Sequence, residues 1–330
     1  MASQTQSGKS FEYAIVEALT NLISLRKISF FVVEDEMLET ARKHFNSLNS
    51  NDQTIFIKGA RAGLEHLIHL EPRLLSQTSP EDVLRVHIQS SSTGVVGDPR
   101  DVIFSRSLHG WEIGISCKNN HNDLKHSRLS PKIDFGCQWI SNPVSDQYWQ
   151  DVDSIFEKIQ SLKERGLKKW NEWFVEQNQT GDDKNEFFVI PVLQAFEAEI
   201  KRICLDETAP TKILQYIIGA KDFYQVVSMP QQKLTKILAF NLYGTLNQSF
   251  YKKEALIKIQ VSKLPTKLVD TAIKNTTMEA YFDCGWTLRF RLHTASSSIE
   301  SSLKFAIGLI GNPTSAYTNT CLWSESLLNT

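Results

Sequence analysis

GDPRDVIFSRSLHGWEIGISCKNNHNDLKHSR, residues 97–128, is the stretch on which the fold turns. Val102, Ile103 and Phe104 begin an apolar strand. Trp111, Ile113, Ile115 and Cys117 then alternate with Glu112, Gly114, Ser116 and Lys118, the period-2 pattern of a half-buried strand. His109-Gly110 between them suits a two-residue hairpin loop, because glycine accepts the positive φ that such a turn needs. With Leu108 opposite Trp111, the register sets Asp101 opposite Lys118 and Ile103 opposite Ser116, and opposed residues share a face.

An Asp that binds a divalent cation beside a Lys that holds a water is the working pair of many metal-dependent nucleases. A cross-strand salt bridge on a solvated face is the plain alternative. The usual nuclease pattern is Asp, a variable gap, then acid-x-Lys. Here the position two before Lys118 is Ser116, whose hydroxyl ligates weakly and brings no charge. Glu112 shares the face of Lys118 but lies six residues away, roughly 20 Å along a strand, so it joins Asp101 only in a different register. Asp98 is either a second ligand or a turn aspartate before Pro99.

GDPRD, WEIGISCKNNH, KHSRL and DFG, followed by FNLYGTLN, KLPT, CGWTLRFRLHTAS and SLKF, together resemble the HaeIII group of type II restriction endonucleases. The resemblance runs from about Phe11 to about Pro313. It implies cleavage of double-stranded DNA at GGCC with Mg²⁺, leaving a 5′-phosphate and a 3′-hydroxyl. It also implies an α/β (α+β) fold: a PD-(D/E)xK-type nuclease core with a mixed central sheet flanked by helices, plus a β-rich C-terminal region. On this core Asp101 binds the metal and Lys118 positions the water, with Glu112 a further catalytic candidate. Such nucleases bring a glutamate from a helix before the hairpin. LEPR at 70–73 is similar to the family, which favours Glu71 over Glu65 as that ligand; Asp98 is a further metal candidate only from its place three residues before Asp101. A restriction enzyme further implies a bacterial cytoplasm, a separately encoded methyltransferase, and a homodimer on a palindromic site. Ser116 is the departure from the superfamily pattern.

The chain has 330 residues, enough for one large domain or two, with 41% hydrophobic and 22% charged residues. With 36 basic and 37 acidic residues, its net charge is −1. No global field attracts DNA, so any DNA surface must be made by local clustering. Five cysteines without a CxxC, and a polar N-terminus without an apolar leader segment, point to a reducing cytosol. No apolar run is long enough for a membrane span. Cys117, His121 and His126 match no established zinc spacing.

Amphipathic patterning predicts helices over about 11–25, 36–48, 54–70, 149–165, 185–203 and 210–218, with Ser10 as the first N-cap and GLKKWNEW as a connector. Residues 91–97 read as a loop. From Asp222 short β-rich runs follow, which suggests a nuclease core over 1–205 and a β-rich region over 206–330. Asn120, His121, Lys125, His126 and Arg128 form a basic segment suited to DNA contacts. Arg289 and Arg291 alternate with apolar residues, as a strand lying in the major groove would have them. A non-catalytic binding module and a repair-type nuclease are the alternative readings.

Overall fold

Asp35 shows how locally determined much of the chain is. Its carboxylate accepts from the Leu38 N–H at 2.9 Å and opens a helix at Glu36. The computed structural model describes residues 4–90, 97–120, 123–178, 181–248, 257–294 and 297–323. In chain order the elements are α1 (Gln4–Ser24), β1 (Phe30–Val32), α2 (Glu36–Asn46), α3 (Ser50–Leu70), β2 (Leu84–Ile88), β3 (Val102–Arg106), β4 (Trp111–Asn119), β5 (Asp123–Leu129), α4 (Phe135–Ile140), α5 (Asp146–Glu164) and α6 (Trp170–Gln177). There follow α7 (Gly181–Lys184), a π-turn (Asn185–Val189), α8 (Ile190–Ile203), α9 (Ala209–Ile218), β6 (Phe223–Met229), β7 (Leu234–Phe240), β8 (Leu268–Lys274), β9 (Thr277–Phe282), β10 (Thr287–Thr294), β11 (Leu303–Gly311) and β12 (Thr318–Leu322). Among the described residues no helix is long and apolar enough to cross a membrane.

The chain divides into two compact units. The first holds Met1–Asn122, Gly219–Ser262 and Ser315–Thr330; the second holds Asp123–Ile218 and Lys263–Thr314. The expected division at 206 is therefore replaced by an interleaved one. The cause is strand pairing: β6 lies parallel to β4, with Ile115 beside Tyr224 and Lys118 beside Val227. Parallel neighbours need a long crossover, and here the crossover carries residues 123–218.

The first unit is a seven-stranded mixed sheet in the order β1-β2-β3-β4-β6-β7-β12. Phe11, Ile15 and Leu19 of α1 and Phe56, Leu64 and Leu67 of α3 share one core with Val102, Phe104, Ile113 and Ile115. Each such burial is worth about 1.5–3 kcal/mol. The Arg106 guanidinium, fully buried at the end of β3, donates to the Arg73 carbonyl at 2.6 Å, the Asp82 carbonyl at 2.7 Å and the Asp82 carboxylate at 3.2 Å. These bonds satisfy a charge that would otherwise be very costly to bury.

The second unit is built on a five-stranded sheet in the order β5-β11-β10-β9-β8. One face buries Phe290 and Phe305 against Phe196 of α8, with ring centroids 5.4 and 4.7 Å apart.

Several expected boundaries moved. The first helix begins at Gln4, and Ser10 is fully buried inside it rather than capping it. Contacts to the sheet hold the added turn: Ser7 Oγ accepts from Asn119 Nδ2 at 2.6 Å. GLKKWNEW is not a connector. Glu172 accepts from the N–H groups of Lys168 and Lys169 and starts α6 at Trp170. Residues 91–96 of the expected loop lie outside the described residues, as does His121.

Candidate active site

The hairpin forms, but with a different turn. Arg106 pairs with Trp111, so Ser107–Gly110 make a four-residue loop, with Gly110 left-handed at φ 58°. Glycine there is what the sequence implied. The register is not: a short 3₁₀ turn over Ser107–His109 consumes two more residues than a two-residue loop. Val102 lies opposite Ile115, so Asp101 meets Ser116, and Lys118 is its diagonal neighbour on the same face. A shift of two preserves the face, because side-chain orientation repeats every two residues.

Asp101 is held from several sides. Its N–H donates to the Ile115 carbonyl at 2.7 Å, and its carbonyl accepts from the Gln89 N–H at 2.8 Å. Its carboxylate accepts from the Cys117 N–H at 2.7 Å and from the Ser116 hydroxyl at 3.3 Å. Burial raises the Asp101 pKa above the usual carboxylate range, against the opposing pull of Lys118, the Cys117 N–H and Lys9.

The second carboxylate comes from α1. Glu12 is 6% exposed, and burial, with the negative charge of Asp101 next, pushes its pKa up to about 7. Lys9, one turn earlier, donates to Glu12 at 2.7 Å, and Lys118 also acts on it. Two carboxylates, Glu12 buried and Asp101 half-buried, are thus flanked by two lysines, Lys9 and Lys118. Sequence reasoning missed Glu12. Its signal was present: Glu12 lies three residues before Ile15 and four before Val16, both buried, so an acid sits on the apolar stripe of an amphipathic helix.

The other acidic candidates lie elsewhere. Glu71, at the C-terminus of α3, is fully buried and accepts from the Tyr224 hydroxyl at 2.8 Å and the Asn247 N–H at 2.6 Å. Tyr224 is registered beside Ile115, so Glu71 reaches the opposite face of the sheet from Ser116 and Lys118. Asp98 and Glu112 both bind Arg100, at 2.7 Å each. The aliphatic stem of Arg100 lies over Gly114, where a Cβ would come within 2.2 Å of its Cδ. Burial alone would raise the Asp98 carboxyl, but the bonds and charge of Arg100 hold it below its ordinary value. The structure therefore brings Asp101, Lys118 and Glu12 together and gives Glu71, Asp98 and Glu112 other partners. Among the described residues no cluster of three or more His, Cys, Asp or Glu is arranged to hold a metal.

The candidate DNA contacts separate too. Asn120 follows β4 with φ 60° and its N–H on the Ser228 carbonyl at 2.9 Å. In the second unit, Lys125 turns to the core side of its sheet, its ammonium 4.1 Å from the centre of the Tyr216 ring, and burial lowers its pKa. His126 and Arg128 point the other way, as do Arg289 and Arg291.

A mixed sheet with Asp101 beside one strand, Lys118 on the next and a glutamate delivered from a helix has the arrangement of a PD-(D/E)xK-type nuclease core. The chain matches the HaeIII restriction endonuclease model over residues 8–313 and belongs to that family. It is 36% identical over 331 residues to the type II restriction enzyme HaeIII of Haemophilus aegyptius, covering 97% of this chain and 98% of that one. The chain is thus a type II restriction endonuclease, a site-specific deoxyribonuclease. No solved structure matches it.

Proposed function

We propose that this enzyme hydrolyses phosphodiester bonds of double-stranded DNA at GGCC with Mg²⁺, and that Glu12, Asp101 and Lys118 carry the reaction. The supporting observation is the convergence of two pKa-raised carboxylates, Glu12 buried and Asp101 half-buried, with a lysine. Burial raises the pKa of both carboxylates, and a divalent cation would stabilise their charged forms. Two carboxylates are enough, because Mg²⁺ keeps several waters and takes phosphate oxygens as further ligands. When bound, it supplies Lewis acidity toward a phosphoryl oxygen and a water of lowered pKa.

The chain's own residues do the rest. Asp101 is fixed by the Cys117 N–H and the Ser116 hydroxyl, so its carboxylate needs no reorganisation on binding. Lys118 orients the attacking water and offsets charge that develops on the phosphoryl oxygens. Lys9 holds Glu12 until the cation competes for it, and is then free to meet a phosphate. Asn120, two residues beyond Lys118, is a further phosphate contact in this reading. A palindromic site would be read by two copies of the chain, and the enzyme would work in a bacterial cytoplasm beside a separately encoded methyltransferase.

Digestion of a sequenced plasmid with and without Mg²⁺, followed by sequencing of the ends, tests this reading. Fragments should end at GGCC with 5′-phosphates, and chelation should stop the reaction. Ends elsewhere would overturn the specificity, and undiminished cutting in chelator would overturn the metal.

A further inference from the structure

In the second unit, strand register collects cationic residues that are far apart in sequence. His126 of β5 lies beside Ala306 of β11, which lies beside Arg291 of β10. One row along, Arg128 lies beside Lys304, and Lys304 beside His293. Opposed residues share a face, so these two rows occupy one side of the sheet. The other side carries Phe290, Leu292, Phe305 and Ile307, all buried. Arg289 extends the face by one more row, beside Gly308.

The acids near this face are partly committed. Glu300 binds Arg128 at 2.7 Å, and Asp123 binds Arg289 at 2.7 Å. Glu279, opposite Arg289 on β9, accepts from the Tyr281 hydroxyl. Arg291 and Lys304 have no ion-pair partner among the described residues. Between the flanking strands the floor is low, because β11 contributes Ala306 and Gly308 there. Strands lie about 4.8 Å apart, so β5 and β10 run about 10 Å apart on either side of the buried Ala306, and both carry positive charge on this face. In a chain of net charge −1 this is a local concentration of cations.

We propose that this sheet face is the DNA-reading surface, with Lys304 on a phosphate and Arg291 on a guanine edge in the major groove. The assignment of the guanine rests on the GGCC reading above. The chemistry favours Arg291 for the base: its planar fork matches guanine O6 and N7 bidentately, and no carboxylate among the described residues occupies it. Lys304 is a point charge, suited to a phosphate. A two-stranded β-ribbon fits the major groove, and sheets are an established means of reading DNA. The surface joins two stretches that look unrelated in sequence, 126–128 and 289–293, and it excludes Lys125, which faces the core.

The test is equilibrium binding with Ca²⁺ in place of Mg²⁺, using a duplex with one GGCC and a duplex of the same composition without it, over a range of salt. Both residues lie on the open face, so thermal midpoints of the variants should match the parent. Lys304→Ala should weaken binding equally on both duplexes and lower the slope of log affinity against log salt by about 1. Arg291→Ala should lose about 5- to 150-fold on the GGCC duplex and little on the other, and Arg291→Lys should not restore the loss. Parent-like binding by both alanine variants on both duplexes would overturn the surface. Equal loss on both duplexes for Arg291→Ala would overturn the guanine contact. The Lys304 arm needs no sequence preference, so the surface is tested even if cleavage maps to a site other than GGCC.

Discussion

Ser116 stands where an acid would stand in the common acid-x-Lys pattern, and its surroundings show what an acid would meet there. It is 2% exposed and donates to Asp101 at 3.3 Å. A carboxylate there would face another at the same distance in a buried place, at a cost only a cation could offset. In the proposed site Glu12 would supply the charge from α1 instead, where Lys9 is bonded to it. The two carboxylates should then be interchangeable in effect. Asp101→Asn and Glu12→Gln should each lower cleavage by about a hundredfold or more, because a bound cation contributes several kcal/mol to the transition state. DNA binding should be kept in both. Lys118→Met should also stop cleavage while the fold is retained. Single-turnover cleavage with parallel binding measurements checks this set, and a Glu12→Gln rate within tenfold of the parent would remove Glu12 from the site.

At the scale of elements, α3 and the hairpin show what a sequence carries and what it hides. The alternation from Trp111 to Lys118 predicted β4, and Gly110 predicted a left-handed turn residue; both hold. The register did not follow, because a 3₁₀ turn over Ser107–His109 leaves no mark in hydrophobic periodicity. Asp101 and Lys118 nevertheless share a face, since the error was an even number of residues. The glutamate from a helix before the hairpin was sought on α3, where LEPR drew attention to Glu71. In the folded chain Glu71 instead accepts bonds from Tyr224 and Asn247 that tie α3 to β6 and the segment after β7. Burial pushes its pKa up from 4.5 to about 7. A carboxyl whose folded pKa is raised binds more protons in the native state. Its contribution to stability is therefore fully present below about pH 4.5 and is lost as pH rises through about 7. Glu71→Gln keeps an acceptor for the same two donors and cannot ionise. Denaturant midpoints of the parent should fall relative to the variant between these pH values, and the variant should be at least as stable at pH 8. A variant less stable at every pH, or one that loses cleavage as Asp101→Asn does, would return Glu71 to the metal site.

At the scale of the whole molecule, the interleaving of the two units was the least legible feature. Nothing in the composition near residue 206 distinguishes a boundary from a crossover, and the β-rich runs after Asp222 look alike although β6, β7 and β12 belong to one sheet and β8 to β11 to another. Which sheet a strand joins is decided by long-range pairing, such as β6 along β4, and no local pattern records it. That pairing links the site to global stability. Asp101, Ser116 and Lys118 stand beside and on the central strands of the first unit's sheet, and Glu12 on a helix in its core. A cation that binds only the folded arrangement must stabilise the protein by mass action, about 2.7 kcal/mol at a hundred times its dissociation constant. In the absence of DNA, Ca²⁺ should therefore raise the thermal midpoint by a few degrees. Because Glu12 holds its proton up to about pH 7, protons compete with the cation, so the rise should be larger at pH 8 than at pH 6. Glu12→Gln and Asp101→Asn should abolish it, while Glu71→Gln and Glu112→Gln should retain it. Scanning fluorimetry of these four variants with the parent, with and without Ca²⁺, is sufficient. A shift that survives in Glu12→Gln but vanishes in Glu112→Gln would mean that the cation is held by the hairpin alone and that Arg100 gives up Glu112 to it.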